Sequence, residues 1–120
     1  MNYRLVEDRD RPYVEVLPGD GLLESEREAL DLVAACGEYD VRRLLLPDEI
    51  LTDDFFNLRT GVAGAILLKF VNYGIRAAAV VPPERVGEGR FAEFVLETNR
   101  GKDFRVFNDR ESALSWLTSF

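Results

Sequence analysis

Ile75-Arg76-Ala77-Ala78-Ala79-Val80-Val81-Pro82-Pro83 is the stretch that decides the fold. After the early Arg76 the run stays apolar to Val81, and Pro82-Pro83 ends it. A strand that does not alternate between polar and apolar residues is covered on both faces, as in a parallel sheet lying between helices. Just upstream, Leu58 to Tyr73 is the most apolar segment of the chain. Val62, Ile66 and Phe70 fall on one helical row, and Ala63, Leu67 and Val71 fall on the next. Only Arg59, Thr60, Lys69 and Asn72 interrupt it with clear polarity, so the pattern predicts a central helix buried on most sides. Gly61 and Gly64 each lower helix propensity, which predicts close packing of its first turn against a neighbour.

Working outward toward the N-terminus, Tyr3 to Glu7 and Tyr13 to Leu17 alternate, and Asp8-Arg9-Asp10-Arg11 lies between them. This predicts an antiparallel hairpin with Pro12 starting its second strand. After a break at Pro18-Gly19-Asp20-Gly21, Ser25-Glu26-Arg27-Glu28 has capping-box spacing. Leu30, Val33 and Ala34 supply that helix with an apolar stripe, and Gly37 is placed to end it. Val41 to Leu46 reads as a short strand stopped by Pro47.

Toward the C-terminus, Phe91, Phe94, Val95 and Leu96 predict a third helix closed by Asn99 and Gly101. Phe104 to Phe107 is a last short strand. Asn108 is placed to cap a terminal helix, with Glu111 at the reciprocal position and Ala113, Leu114 and Leu117 facing inward. The order β-β-α-β-α-β-α-β-α predicts one α/β domain over residues 1–120. Its five-stranded sheet is mixed and mostly parallel, with an antiparallel edge hairpin. Sites in such sheets gather beyond the carboxyl ends of the strands, here at residues 47–60, 82–90 and 108–109.

A chain of 120 residues suits a single core. It has no histidine and one cysteine, Cys36. A disulfide framework, Cys/His zinc sites and histidine-based triads are therefore excluded. The net charge of −7 argues against broad nucleic-acid or anionic-membrane binding. Residues 1–58 carry 6 basic and 15 acidic side chains, whereas residues 59–120 carry 9 and 7. The first half reads as a solvated acidic face, and a local basic patch remains open to the second. No apolar run approaches ~18 residues, and Met1-Asn2-Tyr3-Arg4 does not open a signal-peptide core. A lone cysteine suits a reducing compartment, so a cytoplasmic location is expected.

The run Asp54-Phe55-Phe56-Asn57-Leu58-Arg59-Thr60-Gly61-Val62-Ala63-Gly64-Ala65-Ile66-Leu67-Leu68-Lys69-Phe70-Val71-Asn72-Tyr73 resembles the signature of an uncharacterised bacterial domain family of unknown function. Glu97-Thr98-Asn99-Arg100-Gly101 also resembles its pattern. That family is related to STAS-like, anti-sigma-factor-antagonist-like folds, and the STAS element order matches the one derived above. STAS domains in phosphorylation switches place Ser or Thr before Gly at the start of the helix after the third strand. Thr60-Gly61-Val62-Ala63-Gly64 is similar, although Leu58-Arg59 stands where Asp-Ser is usual. The resemblance thus implies a non-enzymatic regulatory or protein-interaction domain, switched by phosphorylation at Thr60.

Three readings of the site stay open. In the first, Thr60 is a switch or simply a helix N-cap, with a helix N-terminus ready to stabilise phosphate. In the second, a small molecule or anion binds the same edge through Arg59, Thr60, the Gly61 amide and Asn108. The third is a carboxylate-based enzyme or Mg²⁺ site built from Asp48, Glu49, Asp53 and Asp54. No Walker-type loop or dinucleotide fingerprint is present, and neither cofactor nor metal is expected. Cys36 reads as a buried structural thiol. Trp116 and Phe120 read as core or dimer surface, and at least one of Arg42 and Arg43 as solvent-facing. Arg100 reads as a helix C-terminal cap on the edge opposite Thr60. The hairpin edge and terminal helix are the natural homodimer surfaces, and the expected partner is a protein.

Overall fold

In the computed structural model, residues 1–7 and 11–119 are described. The expected turn at Asp8-Arg9-Asp10 lies outside them. Five strands form one sheet in chain order: β1 (Asn2–Val6), β2 (Tyr13–Leu17), β3 (Arg43–Pro47), β4 (Arg76–Val80) and β5 (Phe104–Phe107). β1 runs antiparallel to β2, and every other neighbouring pair is parallel. The helices are α1 (Glu26–Glu38), α2 (Asp53–Phe56), α3 (Val62–Asn72), α4 (Pro83–Val86), α5 (Arg90–Thr98) and α6 (Arg110–Leu117).

Stepping from β2 to β5 in one direction with crossovers of one hand sends all the crossover helices to the same face. Val14, Val16, Leu44, Leu46, Ala77, Ala79, Phe104 and Val106 therefore point into one core with α1, α3 and α5. The alternate residues Tyr13, Leu45 and Ala78 point the other way, where α6 supplies Ala113, Leu114, Trp116 and Leu117. The alanine run of β4 is buried on both sides, as the missing alternation predicts. Cys36 is fully buried.

Several local expectations shift. α1 buries Ala29, Leu32, Ala35 and Cys36, whereas Leu30 and Ala34 face outward and Gly37 lies inside the helix. Ser25 caps α1 as its position predicts, with Oγ accepting from Arg27 N, and Glu28 reaches back to Ser25 Oγ and to Glu24 N. The apolar 58–73 segment is not one helix. Leu58–Thr60 is a 3₁₀ turn, Gly61 is left-handed at φ 76°, and α3 begins at Val62. Gly61 is thus explained by backbone conformation. A Cβ at Gly61 or Gly64 would meet nothing within 4 Å, so neither glycine serves close packing.

α3 is not central either. It buries Ala63, Ile66 and Phe70 and leaves Leu68 and Val71 exposed. Both apolar rows satisfy helical spacing, but the single-sided crossovers bury Ile66, Phe70 and Ala63, leave Val62 and Leu67 half-buried at the margin, and expose Val71. At α6 the cap is Asp109, which accepts from Ser112 N at 2.7 Å, so Asn108 and Glu111 do not form the expected box.

Candidate functional site

The loops beyond the carboxyl ends of β3 and β4 are built around Arg85 of α4. Its guanidinium donates to the Asp48 carbonyl, to Asp48 Oδ2 at 3.3 Å and to the Leu51 carbonyl at 2.6 Å. The same head lies 4.2 Å from the Phe56 ring centroid. Arg85 therefore staples the turn after β3 to α2. Beside it opens a cleft of about 450 Å³, lined by Asn57, Arg59, Arg85 and Arg90 and floored by Phe56 and Phe91. α2 is anchored there by Phe55, fully buried at 6.2 Å from Phe91 and 6.4 Å from Phe104. Three arginines at one cleft can attract an anion.

Thr60 sits one residue before the N-cap of α3. Its hydroxyl lies 2.7 Å from the Asp54 carbonyl and 2.9 Å from that of Asn57, and it accepts from Val62 N at 3.2 Å. One proton serves both carbonyls, so the hydroxyl ties α2 to the turn that starts α3. Its side chain is nonetheless exposed. Asn57 Oδ1 accepts from Arg59 N at 3.2 Å, fixing the same turn.

Asn108 is not brought to Arg59 and Thr60. It lines a separate groove of about 520 Å³ between α5 and the start of α6, with Val95, Leu96, Phe107 and Asp109. The carboxylates also divide. Asp48 pairs with Arg85, while Asp53 and Asp54 occupy the first turn of α2 behind its Thr52 cap. Among the described residues, no three His, Cys, Asp or Glu side chains gather as a metal ion would require.

A family model described as Domain of unknown function (DUF4180) matches residues 8–117. The chain belongs to that family. No curated protein matches it.

Within the matched DUF4180 region, Thr98 and Asn99 have a clear structural role. The Asp103 and Phe107 carbonyls accept from Ala77 and Val81, so Phe104 and Val106 turn their backbone groups away from β4 to the open edge. There Asn99 Nδ2 donates to Val106 O at 3.0 Å, and Val106 N donates to Asn99 Oδ1 at 2.8 Å. Thr98 Oγ1 donates to Phe104 O at 2.9 Å. The Thr98-Asn99 pair thus stands in for a sixth strand and covers an edge that would otherwise recruit one. Arg100, expected as a cap, instead faces Glu97 at 3.7 Å on the surface.

Glu15 was not singled out in sequence, because it reads as the polar member of an alternating strand. It is buried on the α6 face of β2, only 7% exposed. Arg4 Nη2 donates to its Oε1 at 2.9 Å, and both Nη atoms of Arg110 donate to its two oxygens. Burial pushes its carboxyl up, but the hydrogen bonds and charges of Arg110 and Arg4 outweigh that and hold it below the usual carboxylate range. Arg110 comes from the first turn of α6, so the pair fastens that helix to the hairpin. A small cavity of about 150 Å³ beside it reaches Asp48 and Glu49. The available signal was an acid between two apolar strand residues, Val14 and Val16.

Cys36 is a poor nucleophile: burial pushes its thiol up to about 11. No helix among the described residues is long and apolar enough to cross a membrane.

Proposed function

We propose that the chain is a non-enzymatic, regulatory protein-interaction domain that presents the outer face of α3 to a protein partner. The reading includes a STAS-like relationship, a bacterial cytoplasmic setting and a switch at Thr60. The observation that carries it is the exposure of Leu68, Val71 and Tyr73, at 55%, 45% and 53%. Leu68 and Val71 lie one turn apart on α3, with exposed Gly64 one turn earlier. Apolar residues grouped on one helical face are the usual mark of a docking surface. Thr60 stands at the start of this helix, where a phosphate would add ~1.5–2 negative charges. It would also remove the proton now shared with the Asp54 and Asn57 carbonyls. For a second copy, β1 is the available sheet edge, because Thr98 and Asn99 occupy that of β5.

Affinity capture from the native host tests this reading, comparing wild type, Leu68→Glu, Thr60→Glu and Thr60→Ala. Loss of one partner with Leu68→Glu, and a difference between the two Thr60 variants, is the expected outcome. Identical partner lists across all four would sink it. Site mapping that covers Thr60 in several growth states and finds no phosphate removes the switch.

A second reading, anion binding, is favoured by the convergence of Arg59, Arg85 and Arg90 on the C-terminal cleft. In this version Arg59 and Arg90 hold the ligand, while Thr60 only shapes the turn. An Arg59→Gln variant that keeps the wild-type thermal response to phosphate would exclude it.

A further inference from the structure

We propose that the opposite end of the parallel strands, their N-terminal edge, binds the phosphoryl group of a small phosphorylated ligand. Each of the last three strands begins with cations: Arg42-Arg43 at β3, Arg76 at β4, and Lys102 and Arg105 at β5. Parallel pairing sets these starts side by side, and Arg43 and Arg76 are direct register partners. Like charges opposite one another weaken a strand pair. Arg76 and Arg105 are in part held by Trp116, whose ring centroid lies 5.6 and 5.0 Å from their guanidinium carbons, and Arg105 stays outside the cavity that the other cations line. Burial, then the charges of Arg11 and Arg76, lower the Arg43 guanidinium from its ordinary value.

Arg42, Arg43, Arg76 and Lys102 line a cavity of about 250 Å³ there. Among the described residues lining it, Asp103 is the single carboxylate. Four cations facing one acid run against the trend of a chain whose net charge is −7.

The side chains are also pre-positioned. Arg76 Nε donates to the Lys102 carbonyl at 2.9 Å, and Arg43 Nε donates to the Pro12 carbonyl at 2.9 Å. Anchoring through Nε fixes the plane of each guanidinium, which suits the paired oxygens of an oxyanion. Gly74 is left-handed at φ 69°, and a Cβ there would lie 3.2 Å from Arg42 Nη1. The left-handed φ accounts for the glycine, and its missing side chain leaves the Arg42 guanidinium close to the backbone at the cavity.

A phosphoryl dianion matches this charge better than one carboxylate does. The cavity takes one or two phosphoryl groups with a small organic part. It offers no track for a polynucleotide, which the acidic first half of the chain would also repel.

Titration calorimetry of the full chain with pyrophosphate at fixed ionic strength, with amide spectra to locate the ligand, tests the site. Saturable heat is expected, with shifts at Gly74, Lys102 and Asp103. Arg42→Gln and Lys102→Gln, both at exposed side chains, should each weaken binding about tenfold. Arg27→Gln, at an exposed position of α1 away from both clefts, should leave it unchanged. The proposal is overturned by absent heat at millimolar ligand, by variants that bind like wild type, or by shifts centred on Arg59 and Arg90. An equal response to sulfate and chloride, or tighter binding of a single-stranded oligonucleotide, overturns it as well.

Discussion

Replacing Glu15 by glutamine keeps the shape of the side chain and removes its charge from between Arg4 and Arg110. A fully buried ion pair that loses one partner costs about 3–5 kcal/mol. Here the acid is enclosed, with 10% of its side chain exposed, but Arg4 and Arg110 retain 58% and 48%. Water can therefore resolvate both cations, and the cost falls to about 2 kcal/mol, roughly one charge-assisted hydrogen bond. At about 4 °C per kcal/mol for a domain of this size, the melting temperature should drop by about 8 °C.

The dependence on pH carries the sharper test. The folded carboxyl lies below its unfolded value, so its stabilisation is complete above the unfolded value, about 4.3. It fades as pH falls through the depressed folded value. Urea unfolding of wild type and Glu15→Gln should thus show the full gap at neutral pH, and the gap should close in acid. A gap of the same size at neutral pH and in strong acid would refute the electrostatic reasoning. A neutral-pH gap under about 0.5 kcal/mol would refute the burial argument, since surface changes produce effects that small.

Asn99→Ala should cost about 2 kcal/mol, because it strips two hydrogen bonds from Val106 and uncovers the β5 edge. Faster hydrogen exchange at the Val106 amide, with the β3 amides unaffected, would show that the loss is local. Cys36 should resist a thiol reagent at mildly alkaline pH until the protein unfolds, since the buried thiol is pushed up to about 11. Labelling in the native state at the rate of a small-molecule thiol would contradict that.

The topology was legible because it rests on patterns confined to single segments. The unbroken apolar run of β4 announced a strand covered twice, and the alternating hairpin announced an edge. Elements whose character depends on a neighbour were misread. In α3 the two apolar rows are equivalent as sequence, and only the one-sided stacking of crossovers decides that Phe70 is buried while Val71 meets water. Leu30 in α1 was misjudged for the same reason. Thr60 looked like a cap because the left-handed turn at Gly61, which moves the helix start to Val62, leaves no periodic signal.

The candidate sites divide along the same line. Arg59 was visible in a loop that the fold class marks as functional, but its companions Arg85 and Arg90 come from the next crossover. Asn108, placed with them by loop position, belongs to a different groove. Glu15 and Arg110 are 95 residues apart, and nothing in either neighbourhood points to the other.

The sequence by itself determined the order of the five strands and the four longer helices, the mixed sheet and the absence of histidine-based chemistry, since each follows from residue type or short-range period; the short helices α2 and α4 carry no such period. Tertiary structure alone decided which apolar row meets solvent, which edge of the sheet is covered and which charges meet. Parallel strands set equivalent positions of distant segments side by side. Arg43 and Arg76, like Lys102 beyond them, become neighbours through the register of the sheet and not through any spacing along the chain.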